Sequence, residues 1–220
     1  MSAWRKDDGG IIAGFLVLVL AAAIAYGGYL GYQYWDDNKN TTPPAAAVPQ
    51  GSEQLSGNGV TLVIPRGWSS TPLRENQLDK ALQAFVAAKP NAADKTGLDQ
   101  TQIDPNAFAF AAVEGKGGKD DAGLTVATPG GSDVDLTSIQ AAHNVELNRL
   151  GASKIRWEGT TLGGVDAVQV NYELTFGTIA GYQREYFVIG DNVTAQLTFS
   201  SLRPIDNKDA DSIADTMRVD

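Results

Sequence analysis

At 220 residues, the chain has room for one membrane span of roughly 20 residues and one domain of ordinary size. It contains no cysteine, which excludes disulfide frameworks, cysteine nucleophiles, thiolate metal sites and lipid attachment through cysteine. A formal charge of −9, from 17 Lys and Arg against 26 Asp and Glu, argues against nucleic acid as a partner, because phosphate backbones demand clustered cations.

Residues 1–10 form a short polar head carrying Arg5 and Lys6. From Ile11 to Tyr32 there are 22 positions without a charged side chain. As a helix this stretch would be roughly 33 Å long, enough to cross the hydrocarbon layer. Tyr26, Tyr29, Tyr32, Tyr34 and Trp35 crowd its far end, where amphipathic rings favour the headgroup region, so a transmembrane helix is predicted over 11–35. Arg5 and Lys6 precede it and only Lys39 follows closely, which predicts a cytoplasmic N-terminus, a single pass through the cell membrane and an extracytoplasmic remainder. A cleavable signal peptide is the competing reading, with Ala23 and Ala25 as the small residues of a cleavage site; the apolar run continues past that point. Ala23, Gly27 and Gly31 recur every fourth residue and offer a flat helix face to an integral membrane partner, although small residues are common in spans.

Residues 36–55, polar and Pro/Ala-rich, are expected to form a semi-extended linker, and residues 56–220 an extracytoplasmic α+β domain. Val60, Leu62 and Ile64 alternate with Thr61 and Val63 before Pro65 and Gly67, predicting a strand, a turn and a buried Trp68. "STPLRENQLDKALQAFVAAKP" predicts a helix capped by Ser70 or Thr71, with Leu78, Leu82, Phe85 and Val86 on one face and Pro90 as its stop. "AFAFAAVEG" and "AGLTVATPG" are short strands separated by the loop "GKGGKDD". "DVDLTSIQAAHNVELNRLG" predicts a second helix, with Asp133 or Asp135 as cap, Leu136, Ile139, Leu147 and Leu150 on one face, and Gly151 in the left-handed position after its end.

After Gly151 the period changes from 3.6 to 2. Val168, Val170, Tyr172, Leu174 and Phe176 alternate with Gln169, Asn171, Glu173 and Thr175, and Val193, Ala195, Leu197 and Phe199 alternate with Thr194, Gln196 and Thr198. With "GYQREYFVIG" between them and "LGGV" and "GDN" as hairpin turns, the pattern predicts an antiparallel meander with one wetted face. "PIDNKDADSIADTMRVD" closes the chain as a short helix with Ile213, Ala214 and Met217 inward.

The opening "VTLVIPRGWSS", the helix end "NRLGA", the following "WEGTTLGGVDAVQVNYEL" and the terminal "FSSLRP" and "ADSIADTMRV" resemble the Mog1/PsbP-like α+β fold, in particular the actinobacterial LpqN-type envelope proteins. The resemblance implies an antiparallel sheet flanked by helices and a cell-envelope setting, and it brings no catalytic residue with it. LpqN-type proteins typically carry a lipobox cysteine; this chain offers a protein span in its place.

Candidate chemistry is sparse. His143 is the sole histidine and lies beside the apolar stripe of the second helix. No "GxSxG" surrounds any serine, so a structural or half-buried role is expected for it. Asp206, Asp209 and Asp211 lack the turn glycine and terminal glutamate of a calcium loop, and read as acids at a helix N-terminus. Asp120 and Asp121 read as solvated loop residues, and "GKGG" lacks the strand-to-helix context of a phosphate cradle. Arg156, Trp157, Tyr182 and Tyr186 form either an exposed aromatic surface or part of the core, the core being favoured. No catalytic residue, cofactor or metal site is expected. The leading expectation is a non-enzymatic membrane-anchored accessory or scaffold subunit of a larger envelope complex, respiratory or transport, docked on integral membrane proteins through Ala23, Gly27 and Gly31. The alternatives are an envelope lipid or glycolipid-binding module and, more remotely, a hydrolase working through His143.

Overall fold

The computed structural model describes residues 50–71, 108–115, 122–128, 135–176 and 179–219. The expected span with its Ala23/Gly27/Gly31 face, the linker through Pro49, the helix bearing Leu78, Leu82, Phe85 and Val86, and the Asp120/Asp121 loop lie outside the described residues. Among the described residues no helix is long and apolar enough to cross a membrane.

Strand β1 (Glu53–Gly57) and strand β2 (Val60–Ile64) form a hairpin, with Leu55 opposite Leu62. Asn58 and Gly59 turn it at φ of 51° and 78°, the two-residue geometry that matches strand twist. β1 therefore starts inside the stretch expected as linker, because Leu55 has an apolar partner and is buried. Gly57 is required by packing: a Cβ there would lie 2.8 Å from the Ala109 carbonyl oxygen. The strand expected at Val60–Ile64 is present, with Val60, Leu62 and Ile64 buried inward and Thr61 and Val63 half-buried outward.

Among the described residues the second sheet has seven strands. Among them are β3 (Trp68–Thr71), β4 (Phe108–Glu114) and β5 (Gly123–Ala127), then β6 (Ser153–Leu162), β7 (Val165–Phe176), β8 (Ile179–Ile189) and β9 (Thr194–Ser201). The order is β3-β4-β5-β9-β8-β7-β6, every neighbouring pair antiparallel. β6 to β9 form the expected meander, turned by Gly163 and Gly164 at φ of 59° and 89° and by a Gly190 N–H bond to the Val193 carbonyl. Ser70 and Thr71, expected to cap a helix, are the last residues of β3. Trp68 is half-buried rather than buried, edge-on to Phe199.

Helix α1 (Leu136–Arg149) leaves β5 and leads to the far edge of the sheet at β6. Asp135, one of two candidates, is its cap, accepting from the Ser138 N–H at 2.7 Å. Its end is a Schellman motif: Ala152 N–H reaches the Leu147 carbonyl and Gly151 N–H the Asn148 carbonyl, with Gly151 at φ 69°. Helix α2 (Asn207–Ala214) is capped by Asp206 and buries Ala210, Ile213 and Ala214, with Met217 beyond it also buried as expected. A strand the sequence reading missed, β10 (Arg218–Val219), pairs with β2, and Thr216 bonds both the N–H and the carbonyl of Val63.

The main core lies between the two sheets and α2. Leu62 and Ile64 meet Val126, Leu197, Phe199, Tyr186 and Val188 from the large sheet and Ile213 from α2. Each such side chain contributes about 1.5–3 kcal/mol on burial. The opposite face of the large sheet carries α1 over β7 and β8. This corrects the expectation of one wetted face: β9 is buried at every position and β8 from Gln183 to Val188, because layers cover both sides.

Candidate functional site

The register brings an unusual set of side chains onto the α1-facing side of the large sheet. Thr125 on β5 pairs with Thr198 on β9, which pairs with Glu185 on β8; the adjacent rung joins Ser200 to Gln183 and Gln183 to Tyr172. Since alternate residues share a face, Thr125, Gln183, Glu185, Gln196, Thr198 and Ser200 form one polar layer. All six are buried, and all but Gln183 completely. A natural core places apolar residues at such positions unless the polar groups have partners or a purpose.

Glu185 is the hub. Its Oε1 accepts from the Tyr172 hydroxyl at 2.5 Å and its Oε2 from the Gln196 amide at 3.2 Å. His143, on the buried face of α1, sets Nε2 2.7 Å from the same Oε2. The two atoms are in close polar contact, but the approach does not meet the angle of an aligned hydrogen bond. The imidazole is walled by Phe187 at 5.0 Å and Trp157 at 5.9 Å between ring centroids, both at steep angles. Burial, and then the Glu185 carboxylate beside it, push the Tyr172 phenol well above its ordinary value, so it remains a donor.

Around this hub several buried polar atoms have no hydrogen-bond partner among the described residues: Thr125 Oγ1, Thr198 Oγ1, Gln183 Nε2 and Gln196 Oε1, with the Trp157 indole N–H nearby. Gln183 uses its Oε1 to accept from Ser200 at 2.5 Å, which leaves its amide nitrogen idle. Each unpaired buried group costs about 1–3 kcal/mol. Their grouping on one face gives the layer spare donors and acceptors with no formal cation among them. Such a surface is suited to holding neutral hydroxyl-bearing groups or water. Among the described residues no cluster of three or more metal-ligating side chains occurs.

A second polar cluster sits on the other face. The Arg184 guanidinium is buried, donating to Tyr186 at 2.5 Å, Asn171 at 2.9 Å and Gln169 at 2.9 Å, and pairing with Asp211 of α2. Tyr186 also donates to Asp211. Burial acts to lower the guanidinium's affinity for its proton, but the bonds from Tyr186 and Asp211 outweigh it and hold the value above the ordinary one. Burial and the Asp211 bond raise the Tyr186 phenol likewise. This cluster fastens α2 to the sheet.

The sequence-predicted candidates separate accordingly. His143 is buried, as expected of a structural histidine, but its partner Glu185 went unrecognised. Asp206 caps α2 and Asp209 lies in its first turn, whereas Asp211 is corrected from a helix-end acid to the counter-ion of Arg184. Trp157 faces α1 while Tyr186 lies fully buried on the opposite face, and Arg156 is exposed, so the four residues Arg156, Trp157, Tyr182 and Tyr186 make no common surface.

No family model and no curated protein matches this chain. Among solved structures, it is similar to LpqN of Mycobacterium tuberculosis, described as involved in cell envelope biogenesis, at 13% identity and a TM-score of 0.44, covering 76% of this chain and 91% of that one. It is also similar to a Pseudomonas aeruginosa protein of unknown function, at 14% identity and a TM-score of 0.32 over 42% of this chain; the match spans 63% of that protein's length.

Proposed function

We propose that this protein is a membrane-anchored, non-enzymatic envelope module of Mog1/PsbP-like fold that receives the polar part of an amphipathic ligand, a lipid or glycolipid, on the α1-facing side of its large sheet. The observation carrying this reading is the group of buried polar atoms without a partner among the described residues, Thr125 Oγ1, Thr198 Oγ1, Gln183 Nε2 and Gln196 Oε1, gathered on one face. A core that served packing alone would gain by replacing them with apolar groups of the same shape. The predicted span and linker supply the anchor, and the sequence resemblance to LpqN-type proteins supports the envelope setting.

The test is to purify the full-length chain in mild detergent, wild type beside Thr125→Val/Thr198→Val, and measure bound small molecules by native mass spectrometry. The expected outcome is a bound amphipathic species in the wild type that the double variant loses, together with a more stable empty domain. If both proteins are free of ligand and the variant is no more stable, the polar layer has no binding role.

A second reading, the accessory subunit of a larger envelope assembly, is favoured by the flat Ala23/Gly27/Gly31 face and the spacer after it. Crosslinking with mass spectrometry in native membranes tests it. A fixed protein neighbour reached through the span supports it, and recovery of the chain alone from gentle detergent at full yield removes it.

A further inference from the structure

Strand β6 is an edge of the seven-stranded sheet: β7 lies on one side, and among the described residues no strand lies on the other. It is ten residues long, twice a typical edge, and exposed at Lys154, Arg156, Glu158, Gly159 and Thr161. An edge of this length leaves a row of backbone donors and acceptors open to pairing with another strand. Its N-terminal end is protected. Lys154 adopts φ 56°, the register with β7 shifts between Ser153 and Arg156, and the Lys154 ammonium is held by Glu173 at 2.8 Å. From Arg156 onward the strand is regular.

We infer that β6 is a self-pairing edge through which two copies of this chain join antiparallel, merging their large sheets about a two-fold axis at Trp157. The axis follows from charge. In a continuous two-fold sheet, opposed residues must share a face, so only every second register is allowed. An axis at Arg156 would place Arg156 against itself, and an axis at Glu158 would place Glu158 against itself. Both set like charges in direct opposition, which destabilises a pair of strands. With the axis at Trp157, Arg156 of each copy faces Glu158 of the other, giving two opposite-charge pairs on one face and Trp157 beside Trp157 on the other. Arg156 is exposed and makes no hydrogen bond or ion pair within its own chain among the described residues. Glu158 uses Oε2 to accept from Gln169 at 2.8 Å, which leaves its second oxygen available. The bulge confines the ladder to about Ile155–Gly159 in each copy, so association is weak and is strengthened where chains share a surface.

The absence of native cysteine makes this directly testable in the full-length chain. In isolated membranes treated with a mild oxidant, Trp157→Cys should yield a disulfide-linked dimer. Gly159→Cys, whose mate in this register is Ile155, should not. Because Trp157 also packs on His143 and Phe187, Arg156→Cys and Glu158→Cys chains are coexpressed as a second pair, expected to crosslink together and not singly. Adding Glu158→Arg to Trp157→Cys should lower the crosslink about tenfold, and adding Arg156→Glu as well should restore it. Equal yields at positions 157 and 159, no crosslink from either the Trp157→Cys chain or the mixed pair, or failure of the charge exchange to restore the dimer would each overturn the inference.

Discussion

Replacing Tyr172 with Phe isolates the central bond of the buried polar layer. The hydroxyl lies 2.5 Å from Glu185 Oε1 in a site closed to solvent. Phe fills the same space, so no cavity term enters, and the loss is that of a donor to a buried carboxyl oxygen. Such a loss costs about 2–3 kcal/mol, which lowers the melting temperature of a domain this size by roughly 6–10 °C. Thermal unfolding followed by circular dichroism at neutral pH reads the shift directly. A double-mutant cycle with Glu185→Leu should return a coupling energy of about 1–3 kcal/mol, because both changes remove the same contact. If Tyr172→Phe melts within a degree of the wild type, or the two substitutions add without coupling, the Glu185 hub is not what holds this layer together.

Alkaline titration probes the same group from the other side. Tyr172 and Tyr186 both keep their phenolic protons above the ordinary tyrosine value when folded. The unfolded chain releases those protons near pH 10, the folded chain only higher, so stability is full below about pH 10 and falls as pH rises beyond it. Denaturant midpoints measured from pH 8 to 11 should show this decline, less steep in Tyr172→Phe. Arg184→Ala should cost about 3–5 kcal/mol, since it strands Gln169, Asn171 and Tyr186 in the interior. Asp211→Asn should cost less, as that carboxylate is 45% exposed and screened; equal losses in urea melts would refute the ordering. Gly163→Ala should destabilise by about 2 kcal/mol or more, because φ is 59° and the new Cβ would fall 2.4 Å from the Met217 carbonyl oxygen. Gly159→Ala, with open space at its Cβ, serves as the control and should change the melting temperature little.

The parts of the fold legible in the sequence are those that local chemistry dictates. The alternation of Val60, Leu62 and Ile64, the paired glycines at 163 and 164, Asp135 ahead of α1 and Gly151 behind it each name a backbone conformation without reference to distant residues. β8 was legible as a strand and illegible as a site. In "QREYFV" both alternating sets mix charged and apolar residues, and only the register shows that Glu185 meets His143 while Arg184 meets Asp211 on the reverse side. The signal available was the density of polar residues within a strand bounded by apolar neighbours, which is costly unless both faces are covered by partners. β1 and β10 carry little signal of their own, because β1 has one buried apolar residue, β10 has two residues, and each draws its stability from pairing with β2. For Asp211 an acid close after a helix start has a sufficient local reason of its own, whereas the residue lies past the first turn of α2 and pairs with Arg184.

The pairing of β5 with β9 has a consequence for biosynthesis. Gly123 lies opposite Ser200 and Ala127 opposite Gln196, so an apolar strand made early must wait for one made about seventy residues later. At ordinary elongation rates that interval is several seconds, during which Leu124 and Val126 have no neighbour on that edge. The β6–β9 meander can zip locally as it emerges, yet the sheet becomes continuous only when β9 reaches back to β5. The nascent chain is thus most vulnerable to sticking and proteolysis in the window before Ser201 is synthesised, and mutations that slow β9 should lower yield more than their effect on equilibrium stability would indicate.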